Sequence, residues 1–270
     1  VRHRKKYVAA GCILVVISIW LMIRPSNDRD WSKDQAILSS AEIAGNTVTI
    51  RNVRNFHYRT TQDYDIAYED RSYNLADLES LWFVMEPFSS GKGAAHTFLS
   101  FGFNDGRFLG ISIEIRKEKG ESFSWFWGLL KRYELMYVIG DERDLIGLRA
   151  NMRHDDVFLY LVRASKENIR KLFLSMLERS NHLREYPEFY NTITNTCTTN
   201  IVEHIRSIAP KSIPWNIAIL FPANSDRFAY DLGLLDTTLS FEQARSTFRI
   251  NALAQQYADD PAFSLRIRGK

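Results

Sequence analysis

Apolar and polar positions change period several times along the chain, and each change marks an element. Tyr7 to Ile23 runs without a charge. As a helix that run rises about 25 Å, and with Arg-His-Arg-Lys-Lys ahead of it it predicts one transmembrane helix whose N-terminus faces the cytoplasm. Polar residues 24–34 then read as a connector. Strand patterns follow at 47–52, 81–85, 97–103, 108–115, 133–139, 145–148 and 157–162, with a shorter one at 56–59. Asn104-Asp105-Gly106-Arg107 between the third and fourth of these is a hairpin signal, so 97–103 and 108–115 are expected to be antiparallel neighbours. Asn74 to Leu81 predicts a capped helical turn leading into a strand that Pro87 ends. The aromatic run Ser122 to Leu130 suits at most a short helix.

Helical spacing appears later. Ser165 suits an N-cap for 166–181, where Ile169, Leu172, Phe173, Met176 and Leu177 share a face. A second helix is predicted from Cys197 or Thr198 to Ser207, closed by Pro210 and Pro214, and the tail 240–259 has a helical apolar side. The reading is an α+β fold, an antiparallel sheet with packed helices. Its divisions are a basic segment 1–6, a membrane anchor 7–23, a connector 24–46 and one exported domain 47–270.

Charge adds little to that picture except at the N-terminus. Lysine and arginine total 35 against 32 acidic residues, and four of the basic residues lie in the first six positions. The remainder is nearly neutral, which argues against a nucleic-acid-binding body. The same asymmetry places the domain outside the cytoplasm: inner membrane, single-pass, with the bulk in the periplasm of a Gram-negative cell. A cleaved signal peptide is the alternative. Ala9-Ala10-Gly11-Cys12 is not read as a lipoprotein box, because most of the apolar run follows Cys12. Cys197 is then the only exported cysteine, and no intramolecular disulfide is expected.

Candidate chemistry gathers around that thiol. Cys197 stands where a polar stretch enters a helix, so the first-turn N–H groups and the helix dipole would favour thiolate; a buried structural cysteine is the other reading. Asn195, Thr198 and Thr199 flank it as candidate oxyanion or site-supporting residues. His96 opens a strand after a glycine-containing loop, with an ordinary strand-end histidine as its plainer reading. Glu114 interrupts the apolar strand Ile111 to Ile115 across the hairpin and is placed opposite Thr97, within reach of His96; a surface ion pair with Arg116 is its alternative. The order His, acid, Cys suits a circularly permuted papain-like arrangement, since such triads are defined by geometry and role. Glu134 and Arg143 are weaker candidates for supporting the site. His57, His154, His182 and His204 share no metal-ligand spacing, and Gly91-Lys92-Gly93 lacks the phosphate-loop sequence, so neither metal nor cofactor is expected. Trp125, Phe126 and Trp127 suit a membrane surface, an acyl groove or plain packing.

Five stretches carry a family resemblance: VRNFHYRT at 53–60, HTFLSFGFNDGRFLGISIEIRKEKGE at 96–121, YELMYVIGDERDLIGLR at 133–149, NTCTTNI at 195–201, and Pro214-Trp215-Asn216 followed by YDLGLLD at 230–236. In these the chain resembles the Lnb N-terminal periplasmic domain family, exported proteins with a permuted cysteine-peptidase-like arrangement. The resemblance implies a lipoprotein N-acyltransferase activity, with Cys197 as nucleophile, His96 as base and Glu114 supporting it. The expected reaction moves an acyl chain from a membrane phospholipid, through a cysteine thioester, to the N-terminal amine of a lipoprotein. An exported cysteine peptidase or amidase, and a non-catalytic envelope protein that binds lipid or peptide, are the competing readings.

Overall fold

The computed structural model describes residues 2–88, 93–209 and 213–269. After helix α1 (Arg2–Met22) the chain lays down β1 (Ser40–Ala44), β2 (Thr47–Arg54), the short pair β3 (His57–Tyr58) and β4 (Tyr64–Asp65), β5 (Tyr68–Asn74), β6 (Leu78–Pro87), β7 (Ala95–Phe103), β8 (Phe108–Arg116), β9 (Glu134–Gly140), α2 (Glu142–Gly147) and β10 (Phe158–Leu161). Helices α3 (Lys166–Glu185), α4 (Cys197–Ile208), α5 (Ser225–Asp231), α6 (Phe241–Thr247), α7 (Asn251–Gln256) and α8 (Phe263–Arg266) complete it.

One large sheet runs in the order β1-β2-β9-β8-β7-β6-β10, with β5 also paired to β2. Every pairing is antiparallel except β2 with β9, so the sheet is mixed rather than antiparallel throughout. Alternation along each strand divides the core between two faces. Leu99, Phe101, Ile111, Ile113 and Tyr137 pack with α3 and α4 on one face. Phe98, Met136 and Val138 pack with α2 and α7 on the other.

The hairpin forms as expected, with Gly106 at φ +83° in its turn. Its register pairs Phe98 with Ser112, and no pair is formed beyond that point. The ladder therefore stops short of His96 and Glu114, and β7 separates from β8 at the end where β7 begins. The phase also differs by one residue from the expected register, so His96, Phe98, Ser112 and Glu114 share a face, whereas Thr97 belongs to the α4 side.

Residues 145–148 correct an expectation. They are helical, because Asp141 caps the turn by accepting from Arg143 N–H. The helix passes into a π-helical segment at Leu148–Met152, which carries Arg149. Gly110 and Gly140 face each other across β8 and β9 beneath it. A Cβ on Gly110 would lie 2.5 Å from the Leu145 side chain, so these glycines let α2 sit close to the sheet. The tail 240–259 is likewise broken: α6 and α7 are separated where Arg249 bridges Phe158. Leu78 already belongs to β6, and the helical turn before it is limited to Leu75–Asp77. Pro210, expected to help close α4, and Gly91 and Lys92 lie outside the described residues.

The helix expected over 7–23 is present as α1, with Leu14, Val15, Ile17, Ile19 and Leu21 exposed. Among the described residues, however, no helix is long and apolar enough to cross a membrane. The basic residues up to Lys6 lie within α1, which leaves its uncharged part about 24 Å long against a hydrocarbon core of about 30 Å. Single-pass anchoring is therefore unsupported at this level.

Candidate functional site

Helix α4 begins at Cys197 because Thr196 and Thr199 close a capping box. The Thr196 hydroxyl accepts from Thr199 N–H, and the Thr199 hydroxyl accepts from Thr196 N–H at 2.7 Å. Ile201 and Cys197 then face the core with α3. The Cys197 and Thr198 N–H groups donate to no described residue, so both are available at the helix start. Asn195 and Thr199, expected near an oxyanion, are committed elsewhere. Asn195 donates to Phe189 O and accepts from Asn200, and Thr199 is used by the cap. The Thr198 hydroxyl lies 3.0 Å from that of Thr97 and 3.7 Å from the Cys197 sulfur.

Splaying of β7 from β8 opens a cleft of about 190 Å³, lined by His96, Glu114, Arg149, Tyr190, Phe123 and Cys197 among others. The three residues singled out for nucleophile, base and acid thus border one cavity. Within it His96 and Glu114 are linked through a residue that the sequence reading passed over. The Ser112 hydroxyl donates to Glu114 Oε1 at 2.8 Å and lies 2.7 Å from His96 Nε2. A hydroxyl has one proton. With that proton given to the carboxylate, Ser112 must accept from His96, which places the imidazole proton on Nε2 and leaves the Nδ1 lone pair unprotonated. Among the described residues no hydrogen bond joins His96 to Cys197.

Arg149 organises the acidic end. Its guanidinium meets Glu114 at 2.8 Å and Glu86 at 2.7 Å, donates to Leu145 O at 2.7 Å, and lies over the Phe98 ring. Arg116, the alternative partner of Glu114, instead bonds Gln35 O, Ala36 O and Asn27 and covers Trp31. Burial alone would raise the Glu114 pKa, but Arg149, His96 and the Ser112 bond outweigh it and hold the carboxyl well below its usual range. Burial, joined by Arg149 and opposed by Glu114, pushes His96 down to about 3. The imidazole is therefore neutral at physiological pH, as a proton-accepting Nδ1 requires. Glu86 goes the other way: burial raises it to about 7 against the pull of Arg149 and Arg153.

Other expected contributors lie apart from the cleft. Glu134 holds Ser26 N–H and Arg29, and Arg143 reaches Asp260 O. His204 is fixed between Tyr137 and Ser175 at 2.8 Å each, a packing role between sheet and helices. Among the described residues no group of three histidine, cysteine, aspartate or glutamate side chains is arranged to hold a metal ion. Arg149 and Ser112 were missed in sequence because one followed directly on the apparent strand 145–148 and the other looked like an ordinary small polar residue. The Asp141 cap was the available signal for the former.

Fold and cleft together define an α+β domain in which a cysteine at a helix N-terminus lines the same cavity as a histidine and a carboxylate that a serine bridges. The profile described as the Lnb N-terminal periplasmic domain matches residues 64–223, more than half of the chain, and the protein belongs to that family. No curated protein and no solved structure matches it. The matched stretch contains His96, Ser112, Glu114, Arg149 and Cys197, and the family's description supports a periplasmic, Lnb-related envelope protein.

Proposed function

We propose that this protein is a periplasmic cysteine-dependent acyltransferase, with a phospholipid as acyl donor and the N-terminal amine of a lipoprotein as acceptor. The observation that carries the reading is the shared cleft of Cys197 and a neutral His96 whose Nε2 is tied through Ser112 to Glu114. His96 Nδ1 takes the proton of the Cys197 thiol as sulfur attacks the donor ester carbonyl. The Cys197 and Thr198 N–H groups receive the developing oxyanion. Collapse breaks the ester C–O bond, His96 returns its proton to the departing lysophospholipid oxygen, and an acyl-thioester remains. The acceptor amine then attacks the thioester and loses a proton, and the Cys197 thiol is restored as the amide forms. The chain order His96, Glu114, Cys197 suits the permuted papain-like arrangement.

An α1 tether to the inner membrane belongs to the same proposal. Its support is the exposed apolar surface of α1 and the attachment of its end to the domain. Lys131 lies over the Trp20 ring at 4.5 Å and reaches Trp20 O and Ile23 O. Such a tether would confine enzyme and lipid to one surface.

The test incubates purified protein with phospholipid vesicles and a diacylated lipopeptide, followed by mass analysis of the peptide. A gain of one acyl chain on the amine, absent with Cys197→Ser, is expected. Amide or peptide cleavage without transfer would replace the transferase with a cysteine peptidase or amidase. Equal activity in the Cys197→Ser variant would overturn the thiol mechanism.

A further inference from the structure

A second cavity, of about 80 Å³, lies against the same two elements that carry Cys197 and His96, on the α4 side of the sheet. Leu99, Ile201, Val202, Ala218, Ala229 and Leu234 supply much of its wall, and the polar side chains that line it are Thr97, Thr198 and Ser225. Thr97 and Thr198 are the neighbours in sequence of His96 and Cys197, and both are buried with their hydroxyls 3.0 Å apart. This threonine pair lines the apolar cavity, and the residues preceding each in sequence line the reactive cleft. The Ser225 hydroxyl is buried and has no partner among the described residues. One unpaired hydroxyl in an apolar wall does not compensate the desolvation of a peptide or sugar, each of which carries several polar groups.

We propose that this cavity is the acyl-chain subsite of the thiol centre, reached past Thr97 and Thr198, so that its depth sets which chain lengths the enzyme accepts. The inference rests on the acyl-thioester reading above. An alkyl chain suits the cavity because it asks nothing of the wall but contact, and each methylene removed from water contributes about 0.8 kcal/mol. The space is roughly half that of the ~150 Å³ apolar cavity known to admit benzene. In this conformation it therefore takes the methylenes nearest the carbonyl, and chain-length preference is expected to rise most steeply over those first carbons.

The experiment uses the full chain and p-nitrophenyl esters of two, eight and sixteen carbons, following nitrophenolate release and the mass of the Cys197 adduct. Ala229→Leu and Ala218→Leu fill the cavity from different segments. Each is expected to lower the ratio of eight-carbon to two-carbon rates at least tenfold. An unchanged ratio in both variants, each folded by circular dichroism, would overturn the subsite. A second readout is independent of the chemistry: octanoate is titrated by calorimetry into the Cys197→Ser protein and into Cys197→Ser with Ala229→Leu. Saturable binding that weakens at least tenfold in the double variant supports the subsite even if no ester acylates Cys197, the result that would sink the thiol reading alone. Absence of binding, or binding indifferent to Ala229→Leu, counts against the subsite whatever the esters do.

Discussion

Ser112 decides which nitrogen of His96 can accept a proton, and it does so with a single hydroxyl hydrogen given to Glu114. Ser112→Ala is expected to reduce kcat/KM about a hundredfold, within the range lost when a general base is disabled. Glu114→Gln should lose less, because an amide oxygen still accepts from Ser112. Equal activity of Ser112→Ala and wild type would show that the tautomer is set by something else. Acid–base behaviour gives a separate test. His96 has a folded pKa below its unfolded value, so its contribution to stability is present above about pH 6.5 and is lost as pH falls toward 3. Glu86 is raised, so its contribution is present below about pH 4.5 and is lost as pH rises toward 7. The two slopes oppose between pH 5 and 6.5. Removing one with Glu86→Gln should make the rise in Tm from pH 5 to pH 7 larger than in wild type, measured by scanning calorimetry; an unchanged difference would contradict the assignment. His96, Glu114 and Cys197 were legible in the sequence because each breaks the pattern of its surroundings. Arg149 was not, since nothing local announces that a guanidinium one strand and a helix away will pair with Glu114.

Helix α4 places the thiol, and its start depends on the Thr196–Thr199 capping box. Thr196→Ala should cost about 1 kcal/mol in stability, as loss of an N-cap usually does. Denaturant unfolding checks this, and a change below a few tenths would mean the cap contributes nothing to the fold. The hairpin and both long helices could be read from periodicity because their apolar positions repeat with one period over many residues. Residues 145–148 could not. Leu145, Ile146 and Leu148 form an apolar cluster too short to reveal its period, and it is the Asp141 cap and the close seat over Gly110 and Gly140 that make it helical. Register was misplaced by one residue for a related reason: the turn signal locates a hairpin but not its phase, and the phase decides which side chains share a face.

Over the whole molecule, the sheet divides two cores, and the cleft lies at the end where β7 and β8 part, the place where a group on one face can meet a helix on the other. A cluster of the buried Glu86 and Arg149 with the partly buried Glu114 closes that end. Arg149→Met should destabilise the fold by about 3–5 kcal/mol, because the ionised Glu114 loses its cation and the buried Glu86 loses the same partner. The most direct test of the central claim is the intact mass of the protein after exposure to a dipalmitoyl phospholipid, with the adduct mapped by peptide sequencing under acidic conditions that preserve thioesters. A single acyl group on Cys197, formed by wild type and lost on treatment with neutral hydroxylamine, with little or none in His96→Ala, is the result expected. Acylation of His96→Ala at the wild-type rate, or an adduct on another residue, would contradict it.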